Sequence, residues 1–232
     1  MNFDFTTVPE ARLEPIWESA YTTRNGLKHG YLCAAHVIRN NIPGVIVECG
    51  VANGAQVGMR ARAVQDSGKV RDFHLFDSFD GIPMAGPNDA DQPGIGKPQH
   101  DVNAPLSERL KSSGVSVGKL ENVKNNLVKW NTGQGFAFHK GWFQDTLPAL
   151  TDFPTIALLR LDGDLYESTL TCLEYLYPKV EPGGLVVIDD WSLPGCEKAV
   201  TDYLNDFYGA GLWPIITLTE VGVGYKIATW TK

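Results

Sequence analysis

The stretch Val45-Ile46-Val47-Glu48-Cys49-Gly50-Val51-Ala52-Asn53-Gly54 decides the fold. It runs from a short apolar, β-branched segment into a glycine-bearing turn, and the residues beyond it, Ala55 to Gln65, take helical spacing. A strand that feeds a helix through a tight turn is the opening unit of an alternating chain. The alternation continues outward. Phe73-His74-Leu75-Phe76 reads as a second strand ending at Asp77, and Phe136-Ala137-Phe138 as a third. Thr155 to Leu161 is a fourth, apolar along its length as a strand buried on both faces should be. Leu165 to Tyr177 suits a helix, Leu185 to Ile188 a fifth strand ending in Asp189-Asp190, and Cys196 to Phe207 another helix. Pro214 to Leu218 and Gly224 to Thr229 are expected as two closing strands. With only Thr219 to Val223 between them they pair as a hairpin, which makes the last strand antiparallel. The predicted architecture is α/β, a doubly wound, mostly parallel sheet of seven strands.

Residues 1–43 read as a helical N-terminal region: Pro9-Glu10 opens one pattern through Tyr21, and Leu27 to about Asn40 forms a second that Pro43-Gly44 stops. The whole chain, residues 1–232, is expected to be one domain. One segment breaks the rhythm. Gly81 to about Val117 carries Pro83, Pro87, Pro93, Pro98 and Pro105, and its place after a strand's carboxyl end marks it as a lid or substrate loop.

Composition narrows the function classes. Twenty basic against 27 acidic residues leave a net charge of −7, so a broad basic footprint for nucleic acid is absent and anionic membrane surfaces are disfavoured. Apolar runs are of strand length, too short for a membrane span, and Met1-Asn2-Phe3-Asp4 lacks the basic start of a secretory signal. Cys33, Cys49, Cys172 and Cys196 lie far apart, which argues for buried, reduced thiols in a cytoplasm over zinc or a disulfide scaffold.

Chemistry concentrates at the strand ends. The first turn spaces its glycines Gly50-x-x-x-Gly54, not as the dinucleotide Gly-x-Gly-x-x-Gly, which disfavours an NAD-dependent dehydrogenase. Asp77 can accept hydrogen bonds from two ribose hydroxyls; its bland reading is a cap or a solvated strand end. Asp162-Gly163-Asp164 and Asp189-Asp190 end adjacent strands of a doubly wound sheet. Four gathered carboxylates repel one another, and a hard divalent cation, Mg²⁺ or Mn²⁺, removes that conflict. One of the four is expected to be structural, with Asp164 placed to cap the helix that starts at Leu165.

Five ordered runs carry a family likeness: Val47-Glu48-Cys49-Gly50-Val51, Phe76-Asp77-Ser78-Phe79-Asp80-Gly81-Ile82-Pro83, Lys140-Gly141-Trp142-Phe143-Gln144-Asp145-Thr146-Leu147-Pro148, Leu161-Asp162-Gly163-Asp164-Leu165-Tyr166-Glu167-Ser168-Thr169 and Val187-Ile188-Asp189-Asp190. Together they resemble the macrocin O-methyltransferase family over roughly residues 20–230. The resemblance implies a Rossmann-like class I fold and a Mg²⁺-dependent transfer from S-adenosylmethionine to a sugar hydroxyl of a natural product, commonly by a homo-oligomer. By that likeness Glu48, Gly50 and Gly54 frame the methionine end of the cofactor, Asp77 holds the ribose, and Ser78 with Gly141-Trp142 borders the adenosine. Asp162, Asp189 and Asp190 are the implied metal ligands, an arrangement similar to that of catechol O-methyltransferase. Ala52-Asn53-Gly54-Ala55-Gln56 departs from the Trp-Arg-Gly-Gly-Ser that relatives commonly carry, leaving this loop thinner and uncharged.

Methyl transfer from a sulfonium is an in-line displacement, so the acceptor oxygen must be activated and held in line. A bound cation lowers a hydroxyl's pKa, and a carboxylate takes the proton. Asp162 is the expected base, with Asp164 next. A substrate with neighbouring hydroxyls, a sugar or a catechol, could chelate the metal. His139 is expected to be structural, and His100, in the loop, to meet substrate. Trp142, Trp191, Phe79 and Tyr166 stand beside the motifs and are expected mostly to pack. Two other classes compete. Asp-x-Asp also marks metal-dependent glycosyltransferases, against which the second acid pair and Asp77 argue. A non-catalytic binding module would have little use for an acid cluster without a metal.

Overall fold

The computed structural model describes residues 3–90, 100–133 and 135–232. Seven strands form a single sheet in the order β3-β2-β1-β4-β5-β7-β6: β1 (Val45–Cys49), β2 (Phe73–Asp77), β3 (Phe136–Lys140), β4 (Ile156–Leu161), β5 (Val180–Ile188), β6 (Thr217–Gly222) and β7 (Tyr225–Thr231). The first five run parallel; β7 is antiparallel to both β5 and β6. Every residue of β1 and β4 is buried, as strands covered on both faces must be. The order reverses between β1 and β4. The crevice at their carboxyl ends is the topological switch point where open α/β sheets bind ligands.

Eight α-helices accompany the sheet among the described residues: α1 (Glu10–Trp17), α2 (Arg24–Arg39), α3 (Ala55–Asp66), α4 (Leu106–Arg109), α5 (Leu120–Lys129), α6 (Phe143–Thr146), α7 (Tyr166–Leu176) and α8 (Pro194–Tyr208). One apolar layer joins α2, α3 and α5 to the sheet through Leu27, Val37, Val57, Met59 and Trp130. The other packs α7 and α8 against it through Leu173, Leu176, Val200 and Leu204. Thr23 starts α2 as its N-cap, accepting from the Gly26 N–H at 3.0 Å. The same hydroxyl donates to the Val221 carbonyl at 2.6 Å, which pins the N-terminal region to β6.

Four expectations change, the first being β5, which begins at Val180 and not at Leu185. The first helix ends at Trp17, not Tyr21, and Ser19, Tyr21 and Thr22 beyond it line the crevice. The closing strands begin later, with the turn at Val223-Gly224, so Thr219 to Val221 belong to β6. On this edge strand Glu220 faces water while Val221 is buried. Pro194 begins α8, since a proline costs nothing at a first helical position. The Gly81–Val117 loop is ordered where described. Ile82 donates to the Val115 carbonyl at 3.1 Å and Ser113 to that of Ile82 at 2.9 Å, so its two ends pair. Pro93 and Pro98 lie outside the described residues.

Candidate active site

The cofactor turn and the acid cluster are knitted together by backbone. Gly50 donates to the Phe76 carbonyl at 2.9 Å, Asp162 to that of Cys49 at 2.8 Å, and Asp189 to that of Leu161 at 2.9 Å. The carboxyl ends of β2, β1, β4 and β5 therefore form one rigid rim. Gly50 has a φ of +88°, and a Cβ there would stand 1.8 Å from the Asp162 carbonyl oxygen. Neighbouring backbone, rather than a ligand, accounts for this glycine. Gly54, with φ +83°, occupies the N-cap position of α3.

A cavity open to solvent lies at the rim. Glu48, Gly50, Asp77, Ser78, Gly141, Trp142, Asp162, Asp164, Asp189 and Asp190 all line it, whereas Gly54 does not. Ile82, Pro83 and Ser116 from the loop and Ser19, Tyr21 and Thr22 from the N-terminal segment form further walls. Asp77 gathers the first turn: Oδ2 accepts from the N–H groups of Val51 (2.6 Å) and Ala52 (3.1 Å), and Oδ1 from that of Phe79 (2.6 Å). Burial raises its pKa, and these bonds work against that rise. Ser78 spends its hydroxyl on the Gly81 carbonyl at 2.7 Å. Trp142 stands at the N-cap position of α6, and the Gly141 N–H before it donates to the Asp77 carbonyl at 3.0 Å.

Glu48 is 1% exposed and held between two buried arginines, Oε2 on Arg60 at 2.8 Å and Oε1 on Arg160 at 3.2 Å. Desolvation pushes its pKa up and the two guanidinium groups pull it back. The side chain is thus the centre of a buried ion-pair network as well as part of the cavity wall.

Asp162, Asp164 and Asp190 each place a carboxylate oxygen within 4.8 Å of the others. Asp190 Oδ2 also accepts from the Asp164 N–H at 3.0 Å. Burial, followed by mutual repulsion, raises the pKa of Asp164 to about 8 and that of Asp190 well above the ordinary carboxylate range. Asp162 is raised too, with Arg160 drawing it down. Asp189 stands outside this trio: Oδ1 pairs with Arg160 Nη2 at 2.8 Å and Oδ2 accepts from the Tyr225 hydroxyl. The set that the geometry gathers differs in one member from Asp162, Asp189 and Asp190.

Asp164 stands one residue before the N-cap position of α7. It takes a φ of +58° in the exit turn, a conformation an aspartate tolerates better than most residues, and Leu165 follows in the cap position without a side-chain bond. The cap arrives from the loop, where buried Asp89 accepts from the Tyr166 N–H at 2.9 Å. Beside it, buried Arg109 grips Glu167 with both guanidinium nitrogens, one at 2.6 Å. These two contacts dock the loop on the helix that leaves the acid cluster.

His139 stacks on Phe76 (centroids 4.1 Å apart) and meets His74 at 3.0 Å within the sheet, a structural place. His100 bonds the Ala85 carbonyl at 2.8 Å and is not among the lining residues. Phe79 is buried, Trp191 packs on the core, and Tyr166 donates to Asp202. Sequence reasoning missed Arg160, Tyr225, Asp89 and Arg109. Arg160 carried a readable signal: it is a charge inside a strand otherwise apolar, and such residues are buried only when paired. Tyr225, Asp89 and Arg109 carried none, because their partners lie 36, 77 and 58 residues away.

The sequence model of the family described as Macrocin-O-methyltransferase (TylF) matches residues 7–222. The 8-demethyl-8-(2,3-dimethoxy-α-L-rhamnosyl)-tetracenomycin-C 4′-O-methyltransferase of Streptomyces olivaceus is 37% identical over 218 residues, covering 90% of this chain and 77% of that one. Demethyldecarbamoylnovobiocin O-methyltransferase of Streptomyces niveus is 36% identical over 197 residues, covering 84% and 70%. The solved structure of the O-methyltransferase NovP superposes with a TM-score of 0.71 at 32% identity, covering 96% of this chain and 87% of that one. These matches set aside the glycosyltransferase, dehydrogenase and binding-module readings. The chain belongs to the macrocin O-methyltransferase family and is an S-adenosylmethionine-dependent O-methyltransferase.

Proposed function

We propose that the protein methylates a hydroxyl of a sugar on a glycoside, with a divalent cation, Mg²⁺ or Mn²⁺, held at the acid cluster. The single observation that carries this is the convergence of the Gly50 turn, Asp77 and three close carboxylates in one cavity at the switch point. The acceptor class is supported by the relatives, whose names describe rhamnosyl-tetracenomycin and novobiocin precursors as substrates.

The donor set fits a hard cation. It is all oxygen, and burial first, then repulsion from neighbouring carboxylates, raises the pKa values of Asp164 and Asp190 and makes them costly as bare anions. Asp162 and Asp190 belong both to the set the resemblance implies and to the set the geometry gathers. Asp164 completes the set in the geometry, Asp189 in the resemblance. A bound cation would lower the pKa of an acceptor hydroxyl. S-adenosylmethionine would supply the methyl group.

The chain's own residues do the rest. The Val51 and Ala52 amides, fixed by Asp77, shape the bed for the cofactor, and Asp77 keeps one acceptor site, on Oδ1, for a ribose hydroxyl. Trp142 and Gly141 border the base. Asp162, held by Arg160, takes the acceptor proton. The loop and the segment around Tyr21 cover the reacting atoms and exclude water. Four buried free thiols fit a reducing cytoplasm, and the family likeness points to a homo-oligomer.

Calorimetric titration with S-adenosylhomocysteine tests the cofactor half. Wild type should bind, and Asp77→Ala should lose at least about ten-fold in affinity with its Mg²⁺ binding intact. Equal affinity in the variant would remove Asp77 from the cofactor site.

A further inference from the structure

Arg160 lies on β4 two residues before Asp162, 1% exposed. Its Nη2 meets Asp162 Oδ2 at 2.7 Å and Asp189 Oδ1 at 2.8 Å, and its Nη1 meets Glu48 Oε1 at 3.2 Å and the Gly50 carbonyl at 3.3 Å. Tyr225, the first residue of β7, donates its hydroxyl to the other oxygen of Asp189. Asp189 sits just past the end of β5, and β4 and β7 are the two strands that flank β5. Its carboxylate is therefore gripped from both neighbouring strands.

We infer that Arg160 and Tyr225 are positioning residues for the cation, Arg160 holding Asp162 directly and Tyr225 fixing Asp189, the second anchor of the same guanidinium nitrogen, an inference that rests on the divalent-cation reading above. Four carboxylates crowded on one rim repel one another, and unclamped they turn apart toward water. Ordering them at the moment of cation binding would cost rotamer freedom and work against that repulsion. Here both costs are met in the folded chain. The planar guanidinium presents its donors in a fixed fork: Nη2 bridges Asp162 and Asp189 while Nη1 reaches Glu48 and the Gly50 carbonyl, and the phenol fixes the second oxygen of Asp189. A lysine at 160 would keep the charge and lose the fork. Partners of this kind, one step behind the ligands, characteristically change metal affinity by 10- to 100-fold.

The test is a Mn²⁺ titration followed by electron paramagnetic resonance, with S-adenosylhomocysteine affinity measured in parallel. Tyr225→Phe removes a single hydroxyl and carries the test, because Arg160→Lys lies deep enough to risk the fold. Tyr225→Phe should weaken Mn²⁺ about ten-fold or more and leave S-adenosylhomocysteine affinity within two-fold. A folded Arg160→Lys should weaken Mn²⁺ at least as much. Wild-type Mn²⁺ affinity in Tyr225→Phe overturns the clamp, and so does an equal loss of both ligands, which marks a general structural role. A wild type that binds no Mn²⁺ overturns the cation reading itself, a result distinct from either.

Discussion

The carbonyl oxygen of Asp162 fills the space where a side chain on Gly50 would begin, 1.8 Å from the Cβ position. The residue expected to act as base and the turn expected to hold the cofactor thus share one backbone contact, and neither can move without the other.

Gly50→Ala is predicted to fail twice. The alanine would sit at φ +88° and drive its methyl into the Asp162 carbonyl. A strained backbone and a clash on a rigid rim together should cost at least about 2 kcal/mol of stability. S-adenosylhomocysteine binding should fall with it. Thermal melts and calorimetry check both, and an alanine variant with wild-type stability would show that the rim yields.

The loop's docking on α7 gives a second prediction. Asp89→Ala removes the cap of that helix and should cost about 1 kcal/mol, a drop of about 2–4 °C in Tm. Arg109→Met breaks the grip on Glu167. Limited proteolysis should then cut the loop faster, and KM for the acceptor should rise while S-adenosylhomocysteine affinity holds, because loop residues line only part of the cavity. Unchanged proteolysis in both variants would mean that these contacts do not hold the loop down.

His29 sets a dependence on pH. Its ring is 1% exposed, packs against Phe3 at 4.3 Å and meets Thr229 Oγ1 at 3.2 Å. Burial, then the nearby Arg60, lowers its pKa from 6.5 to about 3. The unfolded chain binds this proton below pH 6.5 and the folded chain does not, so stability present above pH 6.5 is lost as pH falls. By pH 4 the loss from this one group should reach about 3 kcal/mol. Denaturant unfolding of wild type against His29→Gln measures it: the wild-type curve should fall more steeply between pH 6.5 and 4. Parallel curves would place the proton elsewhere.

The sheet and the acid rim were legible because they are local. Apolar runs such as Val45 to Cys49 and Ile156 to Leu161 declare buried strands, and a parallel sheet puts their final residues on one edge. Arg160 stands inside one such run as a readable charge, passed over when the run is read for its apolar content alone. Tyr225 and Asp89 act across long separations, where spacing carries no information. The division of labour among Asp162, Asp164, Asp189 and Asp190 depends on side-chain directions that an acid count does not contain.

The most direct test of the account is methyl transfer to a rhamnosyl glycoside, measured with and without Mg²⁺ in wild type and in Asp162→Asn. Chelation should abolish the wild-type reaction and added Mg²⁺ restore it. The variant should keep its affinity for S-adenosylhomocysteine and lose roughly 10²- to 10⁴-fold in kcat, the usual weight of a positioned base. Transfer that survives chelation, or an Asp162→Asn enzyme with wild-type turnover, would contradict the central claim that the acid cluster holds the cation and Asp162 takes the proton.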